Sequence, residues 1–580
     1  MIAHEHAVDK RLLRVALLVL ARASARAAKV VAVAAFAVTL ALAESVAAFE
    51  PVAVIGGSGG GAGKLGVATD GLALAESVAA FEPVAVIGGS GGGAGKLGIP
   101  LGVATDGAGG LYATEHVNQR VSRFTTAGEF AQAWGFDVVP GGGQGFEVCT
   151  SATGCGPGEP GGRAGQLGFP GGIAVDDTGN VYVTDPANDR VSQFTNEGAF
   201  VRAFGYDVVP GGGKGFEICT QATGCKAGIA GAQAGQLAGP SYVASDGAGS
   251  IFVTDQANIR VNQFTDAGAF VRAWGFDVVP GGGEGFEICT QATGCKRGEP
   301  GGRAGQLSFP TGIAAAGGGL YVADGNSRIS QFTTEGSFVR AFGYDVVPGG
   351  GEGFEICTAA TRCKRGTSGG AAGQVSSFVL GVGADAAGNV YVAESGNSRV
   401  SQFTTEGSFV RAFGRDVIPG GADRFEVCTW ATGCKRGRRT GGDRVLPFPS
   451  AVAADPGGAV YVADADAGRI LCLGERGSTP CVRNLFGFRE LKLDRSRGTA
   501  RLGVKVPGPG RLRLRGKGVK SVQRHPEAAG IISLPIRPRY GTRRVLNQEG
   551  KARVQVRVTY EPTNGGPHTK TKRIELRKRR

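Results

Sequence analysis

The chain has 580 residues, 103 of them glycine, with 7% aromatics and a formal net charge of +14. That length allows two or more domains, and glycine without a collagen-like period, set between short apolar runs, excludes a collagenous or wholly disordered chain. The charge is uneven: residues 482–580 hold 27 basic and 6 acidic residues, net +21, and residues 1–481 hold 36 and 43, net −7, so nucleic-acid binding by the body of the chain is excluded and any polyanion is left to the tail.

At the N-terminus, Lys10, Arg11, Arg14, Arg22, Arg26 and Lys29 precede the apolar run VVAVAAFAVTLALA at 30–43, and small residues follow that allow cleavage after Ala43 or Ala48. Residues 1–48 read as a signal peptide, because the run is shorter than the ~20 residues a span needs; an uncleaved anchor is the competing reading. The expected location is secreted or cell-surface, outside the cytoplasm. Residues 41–66 recur at 73–98, so residues 49–82 form a duplicated Gly-rich segment of which one copy is expected to be loose. Its run GGSGGGAGK superficially resembles a phosphate cradle, but no Ser or Thr follows the Lys, and it reads as linker.

From residue 99 a unit of about 70 residues recurs. In the second copy, GGIAVD (171–176), NVYVTD (180–185), RVSQFT (190–195) and AFVRAFG (199–205) are four short strands separated by turn residues. Units start at residues 99, 169, 239, 309, 378 and 448, which makes six. A small sheet that is apolar on both faces must stack on copies of itself, and a ring of four-stranded blades meets that need. PVAVIG (83–88) is expected to supply the outer strand of the last blade, with CVRNLFG (481–487) as the alternative. The propeller is placed at 83–474, a linker at 475–488, and a basic antiparallel β-sandwich at 489–580, where ARLGVKV, GRLRLRG and ARVQVRVTY alternate with period two.

Twelve cysteines form five C-x5-C pairs, Cys149/Cys155, Cys219/Cys225, Cys289/Cys295, Cys357/Cys363 and Cys428/Cys434, plus Cys472 and Cys481. An even count with local pairing favours disulfides and an oxidising compartment. Zinc or free thiols are the competing reading, and a pair of thiolates alone does not complete a tetrahedral site.

The blade pattern, VDxxGNVYVxD, a turn with Asn, then RV and an outer strand ending in FG, resembles the NHL repeat. Asn188-Asp189-Arg190-Val191 occupies the place that names the repeat, with Asp where His is typical. The combination is similar to secreted bacterial NHL-repeat proteins, and the tail to basic β-sandwich modules appended to some of them. The resemblance implies a six-bladed propeller used chiefly for binding. Related propellers include lactonase-like hydrolases with a tunnel calcium and lyases using zinc and histidine, so a propeller hydrolase or lyase with a metal in the central tunnel is the alternative function.

Carboxylates end the second strands, each followed by an arginine: Glu115/Arg120, Asp185/Arg190, Asp255/Arg260, Asp324/Arg328, Glu394/Arg399 and Asp464/Arg469. These read as ion pairs bracing hairpins rather than as a cation ring, since hard cations want several unpaired oxygens converging. Asp106, Asp176, Asp246, Asp385 and Asp455 end the first strands and read as turn residues, with Ala316 in their place in the fourth unit. His116 alone stands out from the repeat and reads as a solvated turn residue. No catalytic, metal or cofactor residue is assigned.

The insertions between units, close to DVVPGGGxGFEICTxATGCKxG, are expected on one face beside the hairpin turns. Phe146, Phe216, Phe286, Phe354 and Phe425 recur there, either as a small core for each loop or as anchors for a partner. The reading is an exported, non-enzymatic binding or scaffold protein at the cell envelope, taking a protein or glycan partner on its loop face. The basic tail reads as a solvated face or as a surface for anionic cell-wall polymer or lipid headgroups; nucleic acid is disfavoured because Tyr540 and Tyr560 are its main aromatics.

Overall fold

The computed structural model describes residues 81–440, 445–475, 487–506, 510–527, 530–562 and 568–579. The signal-peptide reading, nearly all of the duplicated Gly-rich segment, Cys481 and the alternative strand at 481–486 lie outside them.

Within 81–475 the chain forms six antiparallel sheets of four or five strands. In the second sheet, the strands Ile173–Val175, Val181–Asp185, Arg190–Phe194 and Phe200–Tyr206 follow one another outward from the axis. Alternation sends Val181 and Val183 to one face and Tyr182 to the other, and all three are buried. Both faces are therefore apolar and must be covered. Tyr112, Val121 and Trp134 of the first sheet pack on Ile173, Val181, Val183 and Phe194 of the second. Tyr182, Val191 and Phe204 of the second pack in turn on Val243, Ile251, Val253 and Phe264 of the third.

The strand count differs from the expected four. A further strand, Phe146–Cys149, Phe216–Cys219, Phe286–Cys289, Phe354–Cys357 or Phe425–Cys428, pairs with the end of the outer strand in each of the first five sheets. In the second sheet Phe216 lies opposite Tyr206 and Cys219 opposite Ala203. The insertion turns back along the outer strand and covers half of an edge that would otherwise be unpaired.

The sheets close on themselves. Hydroxyls near the axis donate to carbonyls of the next sheet in order: Thr114 to Gly171, Thr184 to Ser241, Thr254 to Thr311, Thr311 to Val379, Ser395 to Pro449, and Ser450 of the last sheet to Pro100 of the first. The outer strand of the last sheet comes from the other end of the chain: Phe81–Gly88 pairs antiparallel with Arg469–Glu475, with Ile87 opposite Ile470. This is the segment that the sequence favoured over 481–487.

The tail forms a three-stranded sheet (Gly487–Asp494, Thr499–Val506, Gly530–Ile536) and a four-stranded one (Val522–Arg524, Gly510–Lys517, Lys551–Pro562, His568–Arg577). Leu502, Val504 and Leu534 of one sheet share a core with Leu512, Val556 and Ile574 of the other. The tail also holds a helix that the all-β reading did not expect, α1 (Tyr540–Glu549). Half of its residues, among them Arg543, Arg544 and Leu546, are good helix formers; it buries Leu546 in the shared core and ends at Gly550, whose φ of 74° suits the left-handed cap.

Candidate functional site

The acid–arginine pairs lie side by side in five of the six hairpins: Glu115 with Arg120, Asp185 with Arg190, Asp255 with Arg260, Glu394 with Arg399 and Asp464 with Arg469, at 2.8 to 3.3 Å. Each of these arginines also reaches carbonyls outside its own hairpin. Arg190 is fully buried, gives Nε to Asp185, and splits its other donors among four carbonyls: Gly162 and Lys226 through Nη1, Arg163 and Gln166 through Nη2. Three stretches of chain, the loop entering the sheet, the hairpin and the insertion leaving it, are tied to one guanidinium whose fixed fork suits the task. Asp185 also accepts from the Gly168 N–H and from Asn188 Nδ2. Burial pushes the Asp185 and Asp255 carboxyls up, against the pull of their arginines.

Arg120 and Arg399 add to the hairpin pair in the same way. Arg120 is fully buried and donates to the carbonyls of Gly92, Gly156, Gly93 and Lys96 as well as to Glu115. The first sheet is therefore pinned to the segment that leaves the ring-closing strand. Arg399, also fully buried, donates to Gly370, Lys435, Ala371 and Gln374 as well as to Glu394. In both hairpins the acid is Glu, and the longer side chain also accepts from a strand hydroxyl, Ser122 for Glu115 and Ser401 for Glu394. The physical reason for the wider reach is that a buried guanidinium must satisfy five N–H donors, and one carboxylate does not take them all.

The fourth sheet departs from the expected pair. Arg328 makes the same four carbonyl bonds, but its buried Nε finds no partner, and Asp324 accepts from Ser308 N–H and from Asn326 instead. The turn here is one residue shorter, four positions from acid to arginine rather than five, so the two groups do not meet. Burial pushes Asp324 up to about 6.

These carboxylates are thus spent on their own hairpins and on the loops entering their sheets. The first-strand acids are spent on turns: Asp176 accepts from the Thr178 and Asn180 N–H groups and from the Tyr182 hydroxyl, and Asp106, Asp385 and Asp455 take Tyr112, Tyr391 and Tyr461 likewise. His116 is not solvated as expected. It is half-buried against the Phe169 ring at 5.3 Å, and burial lowers its pKa.

The insertions leave from the hairpin face, where the Gly228 N–H donates to Asn188 O and the other copies repeat the bond. Five disulfides close them: Cys149–Cys155, Cys219–Cys225, Cys289–Cys295, Cys357–Cys363 and Cys428–Cys434. Five such bridges suggest an oxidising environment. Two further staples were missed in the sequence. Glu217 accepts from the Val209 N–H at 2.8 Å, and Lys226 pairs with Asp207 at 2.7 Å; each recurs in other copies. The signal was available, since Glu follows every such Phe and Lys follows the second cysteine in four copies.

The recurring phenylalanines pack between sheets. Phe146 stacks on Phe194, Phe216 on Phe264, Phe286 on Phe332 and Phe354 on Phe403, at 5.8 to 6.2 Å, and Phe425 packs on the cluster containing Leu471 and Leu473. Each ring sits in the seam to the next sheet, and Phe146, Phe216, Phe286 and Phe354 also lie against a glycine of their own insertion, Gly165, Gly235, Gly305 and Gly373. The insertions expose the Thr-x-Ala-Thr tips of the disulfide loops and the PGG turns, together with Val148, Ile229, Ile356 and, in the fifth copy, Trp430, which is 53% exposed.

Along the axis lies a channel of about 200 Å³ lined by small residues of the inner strands, among them Val103, Ala174, Val243 and Ala453. One end is crossed by Tyr242, whose hydroxyl lies 2.6 Å from Ser450 O and 2.9 Å from Leu101 O and shares its single hydrogen between them. Its counterparts are Gly102, Gly172, Gly312, Gly381 and Ala451. A Cβ at Gly172 would lie 2.6 Å from the Tyr242 Cα, so this end has room for one large side chain. Tyr242, rather than His116, is the residue that breaks the repeat at the axis; aligning the six inner strands reveals it.

A closed circle of radial antiparallel sheets around such an axis defines a β-propeller protein. The NHL-repeat family model matches residues 167–194, a segment built like its counterparts around the ring. No curated protein matches it. Solved structures similar to it include a streptogramin B lyase (13% identity, 68% of this chain and 98% of that one, TM-score 0.35). Others are a protein of unknown function from Bacteroides thetaiotaomicron (14%, 68% and 75%, TM-score 0.36) and the WD40 β-propeller domain of Doa1 (9%, 68% and 97%, TM-score 0.34). Likenesses this distant carry nothing about activity.

Proposed function

We propose that this chain is an exported, non-enzymatic binding or scaffold protein, a six-bladed propeller with a β-sandwich tail, that presents its stapled loop face to a protein or glycan partner at the cell envelope. The observation that carries this reading is where the repeated polar groups go. Hairpin carboxylates and arginines are consumed in fixing the insertions, and the insertions present similar Thr-containing tips and PGG turns around one face, varied by exposed side chains such as Trp430 and Ile229. The tips are rigidly rooted yet sterically empty: a side chain at Gly213 or Gly283 would meet nothing within 4 Å. Glycine there leaves backbone open to close approach. A hydrolase or lyase site on the axis would need charged or metal-binding side chains converging on it, whereas the lining is mostly Gly, Ala, Val and Ile around Tyr242, with Thr105 and Ser245 its other polar side chains.

The test is affinity capture from envelope extract with the oxidised full chain as bait. Deleting two adjacent insertions abolishes capture on this reading. Because deletion endangers folding, Gly213→Trp with Gly283→Trp, whose side chains point into open space, is the second variant. Capture that survives both would overturn the loop face, and turnover of a lactone or ester by the purified protein with added calcium or zinc would overturn the non-enzymatic reading.

A further inference from the structure

The outer face of the four-stranded tail sheet carries cations that the sheet itself does not neutralise. Lys517, Gln555 and Arg573 lie in one row across three strands; Arg515, Arg557 and Thr571 form the next; Arg513, Thr559 and Thr569 the next. Acids stand only at the margins, where Arg511 pairs with Glu561 and both Arg553 and Arg577 pair with Glu575. Among the described residues, no acid lies within ion-pair distance of Arg515, Lys517, Arg557 or Arg573, and all four are exposed. Arg515 sits directly opposite Arg557. Like charges facing each other across strands destabilise a sheet unless something outside neutralises them.

We infer that this face docks on an anionic lipid surface. Rows about 7 Å apart along strands about 4.8 Å apart make a two-dimensional array, which matches headgroups in a plane better than one linear chain of charges. The cations are interspersed with Thr and Gln, and the three strands place no aromatic ring on this face for base stacking, since Tyr560 is buried. Binding is therefore electrostatic adsorption. It concerns the tail alone and does not depend on the loop-face reading.

The full chain is sedimented with phosphatidylcholine vesicles, with and without phosphatidylglycerol, at about 50 mM and about 500 mM salt. Binding appears only with phosphatidylglycerol and is lost at the higher salt. Each basic residue near an anionic surface is worth about fivefold in partitioning, so Arg515→Gln/Arg557→Gln/Arg573→Gln loses about a hundredfold. Arg501→Gln/Lys505→Gln, on the other sheet, changes it by less than about threefold. The triple variant melts no lower than the parent, because it removes repulsion; if it does melt lower, the charge-keeping variant Arg515→Lys/Arg557→Lys/Arg573→Lys must retain binding. Equal binding to uncharged vesicles, unchanged binding of the triple variant, or loss of binding in the lysine variant would each overturn the proposal. So would soluble polyphosphate that displaces the protein from vesicles at equal phosphate, which would assign the face to a linear polymer.

Discussion

Asp189 shows how one residue serves both turn and seam. It sits in left-handed backbone at φ 45°, and its carboxylate accepts from the Gly239 N–H at the entrance to the next sheet. Burial, aided by Asp255 and Asp185, pushes its pKa up to about 7 from 3.8. A folded state that holds the proton more tightly than the unfolded chain is favoured at low pH, and that advantage is lost as pH rises through about 7. Asp189→Asn keeps an acceptor and tolerates the backbone, so it should flatten the stability profile between pH about 4 and 7, with its gain over the parent largest at pH about 8 in urea titrations. Arg190→Met should cost about 3–5 kcal/mol in the same titrations, because it strands a buried carboxylate. Arg328→Met should cost less, since Asp324 never meets that arginine. The acid–arginine spacing was legible because both partners lie within one hairpin. The carbonyls that Arg120, Arg190 and Arg399 also hold were not, because they come from loops 24 to 36 residues away.

At the scale of the element, the insertion is a fifth strand followed by a stapled ring. Removing one staple with Cys219→Ser/Cys225→Ser should lower unfolding stability by about 2 kcal/mol, the loop-closure entropy of so short a ring. The effect should be local: hydrogen exchange rises over residues 207–229 while the inner strands stay protected. The four inner strands could be read because the period of two and the Gly-containing turns are local signals. The fifth could not, since FEIC is four residues between glycines and threonines, and only the open edge of Phe200–Tyr206 makes it a strand. The helix Tyr540–Glu549 escaped for a similar reason: one residue, Leu546, is buried, so almost no apolar stripe marks it.

At the scale of the whole molecule, closure depends on contacts that span the chain, among them the pairing of Phe81–Gly88 with Arg469–Glu475 and the Ser450 bond to Pro100. Deleting residues 81–88 bares the Arg469–Glu475 edge, and light scattering should then show association through it. Tyr242 ties the third sheet to the first and sixth across the axis. Tyr242→Phe leaves two carbonyls without their donor and should cost about 1–2 kcal/mol in denaturant unfolding.

Alternation, turn residues, cysteine spacing and charge segregation are written in neighbouring residues, so the sequence by itself determined the repeat, the sheets, the staples and a basic tail set apart from an acidic body. Where each side chain ends up depends on residues brought near only by closure. The destination of Phe146 in the seam to the next sheet, the reach of Arg190 to three stretches of chain, the Tyr242 crossing and the unneutralised row at Arg515 and Arg557 were therefore decided by tertiary packing alone.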